Sequence, residues 1–144
     1  MQTKKTIKFQ IVTPERIVTE EEIYQITLPT SSGEITVLPS HIPLVSSLIP
    51  GVIELKNKEK NSKILSISGG FVEILKDKII ILADTAERAE NLDLNVIKEA
   101  KENAKKALEK ARNENKQDFF NLKAKLAKEL ARDKAIQKWK KLNK

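Results

Sequence analysis

FVEILKDKIIILADTAERAENLDLNVIKEAKENAKKAL, residues 71–108, contains the point where the hydrophobic period of the chain changes. Up to Leu82 the apolar residues come in short runs, FVEIL (71–75) and IIIL (79–82), joined by Lys76-Asp77-Lys78, a connection of hairpin length. From Leu92-Asp93 onward they recur every three or four residues, as Val96/Ile97, Ala100, Ala104, Ala107/Leu108 and Ala111, the spacing of one helix face. Asp93 or Asn95 is placed to accept the free backbone N–H groups at that helix start. Strands precede this stretch, and helices follow it.

Toward the N-terminus the strand pattern continues. Ile7, Phe9 and Ile11 alternate with Lys8 and Gln10 before Thr13-Pro14-Glu15 turns the chain, and Tyr24, Ile26 and Leu28 alternate up to Pro29. VIEL (52–55) and KILSIS (63–68) flank the polar loop KNKEKNS. No segment between these runs has a helical period, so the pattern favours an antiparallel sheet over a parallel one built on crossover helices. Gly69-Gly70 sits between two strands and opens no helix, which marks a turn or bulge where side chains do not fit.

Toward the C-terminus, RNENKQD (112–118) is wholly polar and predicts a helix break. Leu122, Leu126 and Leu130, then Ala131, Ala135 and Trp139, form a second stripe, so two antiparallel helices are expected. The fold class predicted is β + α: an N-terminal antiparallel β-sandwich over 1–86 and a C-terminal antiparallel two-helix hairpin over 87–144. Stripes this rich in alanine bury little area, at roughly 25 cal/mol per Å². The hairpin is therefore expected to lean on the sandwich or to open around a partner.

The net charge of +7 is unevenly distributed. Residues 1–90 hold 11 Lys and Arg against 12 Asp and Glu, whereas residues 91–144 hold 16 against 8. The basic last helix fits three partners: nucleic-acid phosphates, bulk solvent, or an acidic protein surface. Aromatic residues are only 4% of the chain and Lys outnumbers Arg, which weakens the nucleic-acid reading because base stacking and bidentate base contacts need the opposite. Composition does not separate the three.

Enzyme chemistry is poorly provided for. The chain has no cysteine and one histidine, His41, held between Pro39 and Pro43. A nucleophilic triad needs a base with partners, and no G-x-S-x-G, Walker or H-E-x-x-H pattern is present. A metal site is not expected from one histidine without thiolates, and Glu20-Glu21-Glu22 reads as a solvated edge. No cofactor is expected. No apolar run approaches the roughly 20 residues of a membrane span, and with no secretory leader pattern the reading is a cytoplasmic protein.

Four stretches go beyond generic pattern: GEITVLPSHIPLV (33–45), LIPGVIEL (48–55), SISGGFVEI (66–74) and ILADTAERAENLD (81–93). In order and spacing they resemble the epsilon subunit of the rotary F-type ATP synthase, across nearly the whole chain. The resemblance implies a non-catalytic central-stalk protein at the cytoplasmic face of the plasma membrane. Its partners would be the gamma subunit, the c-ring and the alpha/beta catalytic hexamer, with no nucleic acid. Thr13 and His41 fall where the family faces gamma, and Glu34 where it approaches the c-ring. The hairpin resembles a regulatory arm that inhibits ATP hydrolysis when extended, presenting Lys123, Lys125, Lys128, Arg132 and Lys134 to the catalytic head. Some relatives bind ATP through Ile/Leu-Asp followed, two residues later, by Arg-Ala. This chain keeps Leu92 and Asp93 but has Val96 and Ile97 there, so the phosphate partner is missing and Asp93 reads as a cap. Family members usually carry glycine where this chain has Thr36 and Ser40.

Overall fold

The computed structural model describes residues 5–112, 114 and 116–143, with the side chain of Lys116 excluded. Ten strands come first: β1 (Ile7–Val12), β2 (Ile17–Ile23), β3 (Gln25–Thr30), β4 (Gly33–Val37), β5 (Leu44–Leu48), β6 (Gly51–Lys56), β7 (Ser62–Ile67), β8 (Gly70–Ile74), β9 (Lys78–Ala83) and β10 (Ala86–Arg88). A 3-10 turn at Ala89–Asn91 leads into α1 (Leu94–Ala111) and α2 (Lys116–Leu142).

The strands run β10-β7-β6-β3 with β4 on the other side of β3, and then β5-β8-β9-β1-β2. The two groups meet at a single pairing, Thr30 with Leu48, and fold over each other as two layers. Alternate residues of each strand point between them. Ile7, Phe9 and Ile11 of β1 face Ile26 and Leu28 of β3 and Ile53 and Leu55 of β6 in one continuous core of almost fully buried side chains. At about 25 cal/mol per Å², these branched and aromatic residues are the main stabilising mass of the molecule.

One pairing departs from the expected antiparallel pattern. β1 lies parallel to β9, with Phe9 opposite Ile79 and Ile11 opposite Ile81. A crossover helix is unnecessary because the connection between them is the rest of the sandwich, β2 to β8. Gly69 and Gly70 behave as expected: both have positive φ, and a Cβ on Gly70 would sit 2.0 Å from the Leu82 carbonyl oxygen.

β6 and β7 are buried on both faces. Ile53, Leu55, Leu65 and Ile67 enter the core, while Val52 and Ile64 point outward against Ala89, Ala135 and Trp139. α2 lies across this outer face, and α1 lies chiefly on α2. Asp93 caps α1, its carboxylate accepting from the Asn95 and Val96 N–H groups. Of the expected break at 112–118, Arg112 and Glu114 are turn residues, Asn113 and Asn115 lie outside the described residues, and Lys116, Gln117 and Asp118 already belong to α2. The stripes shift slightly: Ile97 is buried and Val96 exposed, and Ala131, Ala135 and Ile136 are buried while Leu130 is 45% exposed.

Candidate functional site

The outer face of the second layer is built by strand register. Phe71 of β8 pairs with Leu82 of β9, Leu82 with Val12 of β1, and Val12 with Ile17 of β2. These four apolar side chains form one row across four strands, and Phe71, Leu82 and Ile17 are 60%, 55% and 53% exposed. The next row, Glu73, Ile80, Gln10 and Glu20, is mostly polar. The apolar row lies beside an open concavity of about 690 Å³ lined by Thr13, Pro14, Ile49 and Pro50 as well as Phe71 and Leu82. A strip of apolar surface presented on a rigid sheet, with polar residues beside it, has the makeup of a protein-binding face.

Thr13 sits at the rim of this concavity. Its backbone N–H donates to the Arg16 carbonyl at 2.9 Å and its hydroxyl donates to the same oxygen at 3.2 Å, which fixes the β1–β2 turn. Glu34 projects, exposed, from the β3–β4 hairpin opposite Pro29. That hairpin is tied to the same end of the molecule, since the Ile49 N–H donates to the Pro29 carbonyl at 3.0 Å. His41 lies elsewhere. It precedes Leu44, which pairs with Ile74, itself opposite Ile79, at the other end of the layer. Its Nδ1–H donates to the Ile42 carbonyl at 2.6 Å, beside Ile42 and Val45, which are 75% and 71% exposed. Thr13 and His41 therefore bracket the outer face from its two ends without touching. Ser40, next to His41, has φ 68°, the left-handed conformation that glycine adopts without strain.

The third region is the contact of α2 with the sandwich. Arg132 donates through Nε to Glu87 Oε1 at 2.8 Å and through Nη1 to Glu129 Oε1 at 2.7 Å. Burial works against the charge on Arg132, but the hydrogen bonds and charges of Glu87 and Glu129 outweigh it and hold the guanidinium above its ordinary pKa. Glu129 is 4% exposed, and its second oxygen, Oε2, has no hydrogen-bond partner among the described residues. Lys138 pairs with Glu54 at 2.8 Å. Between the helices, Lys101 pairs with Asp133 at 2.9 Å. The hydrogen bond from Lys101 holds the Asp133 carboxyl below its usual value; burial opposes this, and Gln137 and the charge of Lys98 add to it.

The five cations expected to face a catalytic head are thus not equivalent. Lys125 and Lys134 are exposed and Lys128 half-buried, none in an ion pair among the described residues. Lys123 stands 5.7 Å from the Phe119 ring centre. Arg132 alone is held between two carboxylates of its own chain. Sequence reading missed this cluster because Glu87 is 45 residues away from Arg132, although Glu129 at i−3 on the same helix was a visible signal. It also missed that adjacent apolar pairs, Val52-Ile53 and Ile64-Leu65, mark strands covered on both faces, which locates the docked helix.

Comparison with known proteins agrees with this architecture. Residues 6–89 match the family described as ATP synthase, Delta/Epsilon chain, beta-sandwich domain. The ATP synthase epsilon chain of Anoxybacillus flavithermus is 43% identical over 105 residues, which is 73% of this chain and 78% of that one. The epsilon chain of Nitratidesulfovibrio vulgaris is 37% identical over 129 residues, 90% of this chain and 94% of that one. A chain of the Euglena gracilis mitochondrial ATP synthase shares the fold, with a TM-score of 0.78 at 21% identity, covering 91% of this chain and 81% of that one. The nucleic-acid alternative finds no support among these relatives. With its sandwich matched by the family and a relative aligned over nine-tenths of both chains, the protein belongs to the ATP synthase epsilon chain family, the non-catalytic subunits of the enzyme's central stalk.

Proposed function

We propose that the two parts of the chain divide the work of a rotor subunit. The sandwich, 1–86, docks its apolar outer face on the gamma subunit, with Thr13 and His41 at the two ends of the contact. Glu34, on its exposed hairpin, faces the c-ring, so that ion-driven rotation of the ring is passed to the stalk. The assembly sits at the cytoplasmic face of the membrane, to which this chain belongs only through its complex; no described helix is long and apolar enough to cross a bilayer. The hairpin, 87–144, is the regulatory arm. Extended beside gamma, it presents Lys123, Lys125, Lys128, Arg132 and Lys134 to an acidic surface of the alpha/beta hexamer and slows ATP hydrolysis. Asp93 serves as a helix cap, and with Val96 where some relatives carry arginine a nucleotide there would lack its phosphate partner.

The observation that carries this reading is the row Phe71-Leu82-Val12-Ile17, apolar and outward on a sheet whose other face is already a full core. Its test uses a purified catalytic complex lacking its own epsilon subunit. The full chain is expected to co-elute and slow hydrolysis, and a chain ending at Glu90 to co-elute without slowing it. Leu82→Glu places a charge at the centre of the row and is expected to weaken binding by about 30-fold or more, the scale of an interface hot spot. Unchanged binding of Leu82→Glu would remove the docking face. Equal inhibition by the chain ending at Glu90 would remove the arm.

A further inference from the structure

We infer that Arg132 is an exchangeable key: in the folded arm it is locked between Glu87 of β10 and Glu129 of α2, and releasing the arm hands the same guanidinium to the acidic surface of the catalytic head. This rests on the arm reading above and names the residue that couples its two states. Among the described residues Arg132 is the one candidate head-facing cation held in an ion pair, and Glu87 is its only partner outside α2. The other four cations of that group make no ion pair to the sandwich among the described residues.

The physics of the cluster makes it suitable for a reversible latch. Glu129 is almost wholly removed from water, yet only one of its oxygens is bonded within the protein. A buried ion pair of this kind gains little over solvated ions as long as it is complete, but losing one partner leaves an uncompensated buried charge. With Arg132 withdrawn, Glu129 can be rehydrated only if α2 lifts from the sandwich. The apolar part of the contact does not resist strongly, since it consists of Ala135, Ala89, Val52, Ile64 and the partly buried Trp139. An acidic surface that captures Arg132 therefore acts on the arm twice, by holding the cation and by making the docked state unfavourable for the glutamate left behind.

Two variants and two measurements test this on the full chain. Glu87→Gln removes the sandwich half of the latch and keeps the cation. Arg132→Gln removes the cation. Hydrogen exchange on the free subunit reads arm opening directly: amides of residues 131–139 are expected to exchange about tenfold faster or more in both variants, with β1, β8 and β9 amides unchanged. Hydrolysis by the reconstituted complex reads the exchange: Glu87→Gln is expected to inhibit more strongly than the unaltered chain, and Arg132→Gln less strongly. Wild-type exchange rates in Glu87→Gln would overturn the latch. Faster exchange in both variants with equal inhibition by both would overturn the handover of Arg132. If no form of the chain slows hydrolysis, the arm reading and the handover fall together, while the exchange rates still decide whether the cluster holds the helix.

Discussion

The two contacts that hold this molecule together are built from different materials. Between the layers of the sandwich, Phe9, Ile26, Ile53, Leu65 and their neighbours fill the space with large aliphatic and aromatic groups and no charge. Between the sandwich and α2, the buried groups are two alanines, Val52 and Ile64, with Trp139 at the margin and ion pairs Arg132–Glu87 and Lys138–Glu54 around them. The first contact is strong, non-directional and indifferent to partners. The second is small, and its polar part can be replaced by equivalent groups on another protein. A platform that must stay folded and an arm that must let go are thus distinguished by side-chain chemistry.

Substitutions can break or sharpen this contrast, beginning with the largest effect. Phe9→Ala opens a cavity in the sandwich core and is expected to lower global stability by about 3–5 kcal/mol, read as a fall in the urea midpoint. Ala135→Asp buries an unpaired carboxylate under α2 and should undock the helix at a cost of about 2–3 kcal/mol. Its signature is a red shift in the emission of Trp139, the only tryptophan in the chain, with the exchange protection of β1 and β9 intact. If the sandwich unfolds as well, the two contacts are not independent.

The third test uses pH. Asp133 has a folded pKa below its unfolded value, so its pairing with Lys101 adds stability at pH above about 4, the unfolded carboxyl value, and that stability is lost as pH falls toward the folded value. For a partly exposed pair the contribution is under about 1 kcal/mol. Asp133→Asn should remove this acid-sensitive part of the α1–α2 contact without altering the sandwich. The smallest effect is expected of Ser40→Gly, which relieves a left-handed residue and should raise the melting temperature slightly.

Much of this was legible in the sequence because it is local. The alternation of Ile7, Phe9 and Ile11, the change of period at Leu92-Asp93, the Asp93 cap and the glycine pair at 69–70 each depend on neighbours within a few residues. What stayed hidden depends on pairings between distant segments. The parallel placement of β1 beside β9 leaves no mark on either strand, since antiparallel and parallel partners demand the same apolar face. The capture of Arg132 by Glu87 looks in the sequence like one more cation on a basic helix. The outer apolar row was missed for a related reason: Phe71, Leu82, Val12 and Ile17 become neighbours only through register.

That parallel pairing also orders the birth of the molecule. Strand β1, residues 7–12, finds its second neighbour only when residues 78–83 emerge from the ribosome. Until then the β1–β2 hairpin has an unsatisfied edge and half a core, the kind of exposed template that other chains can join. Closing a loop of this length is slow compared with forming α1 and α2, which need only local contacts. The helices, although last in the sequence, can wind as soon as they are made, but α2 has no floor to rest on until β6 and β7 are in place. Docking of the arm therefore waits on the pairing of β6 with β7, and a newly made subunit whose strands have not yet paired carries its helices undocked.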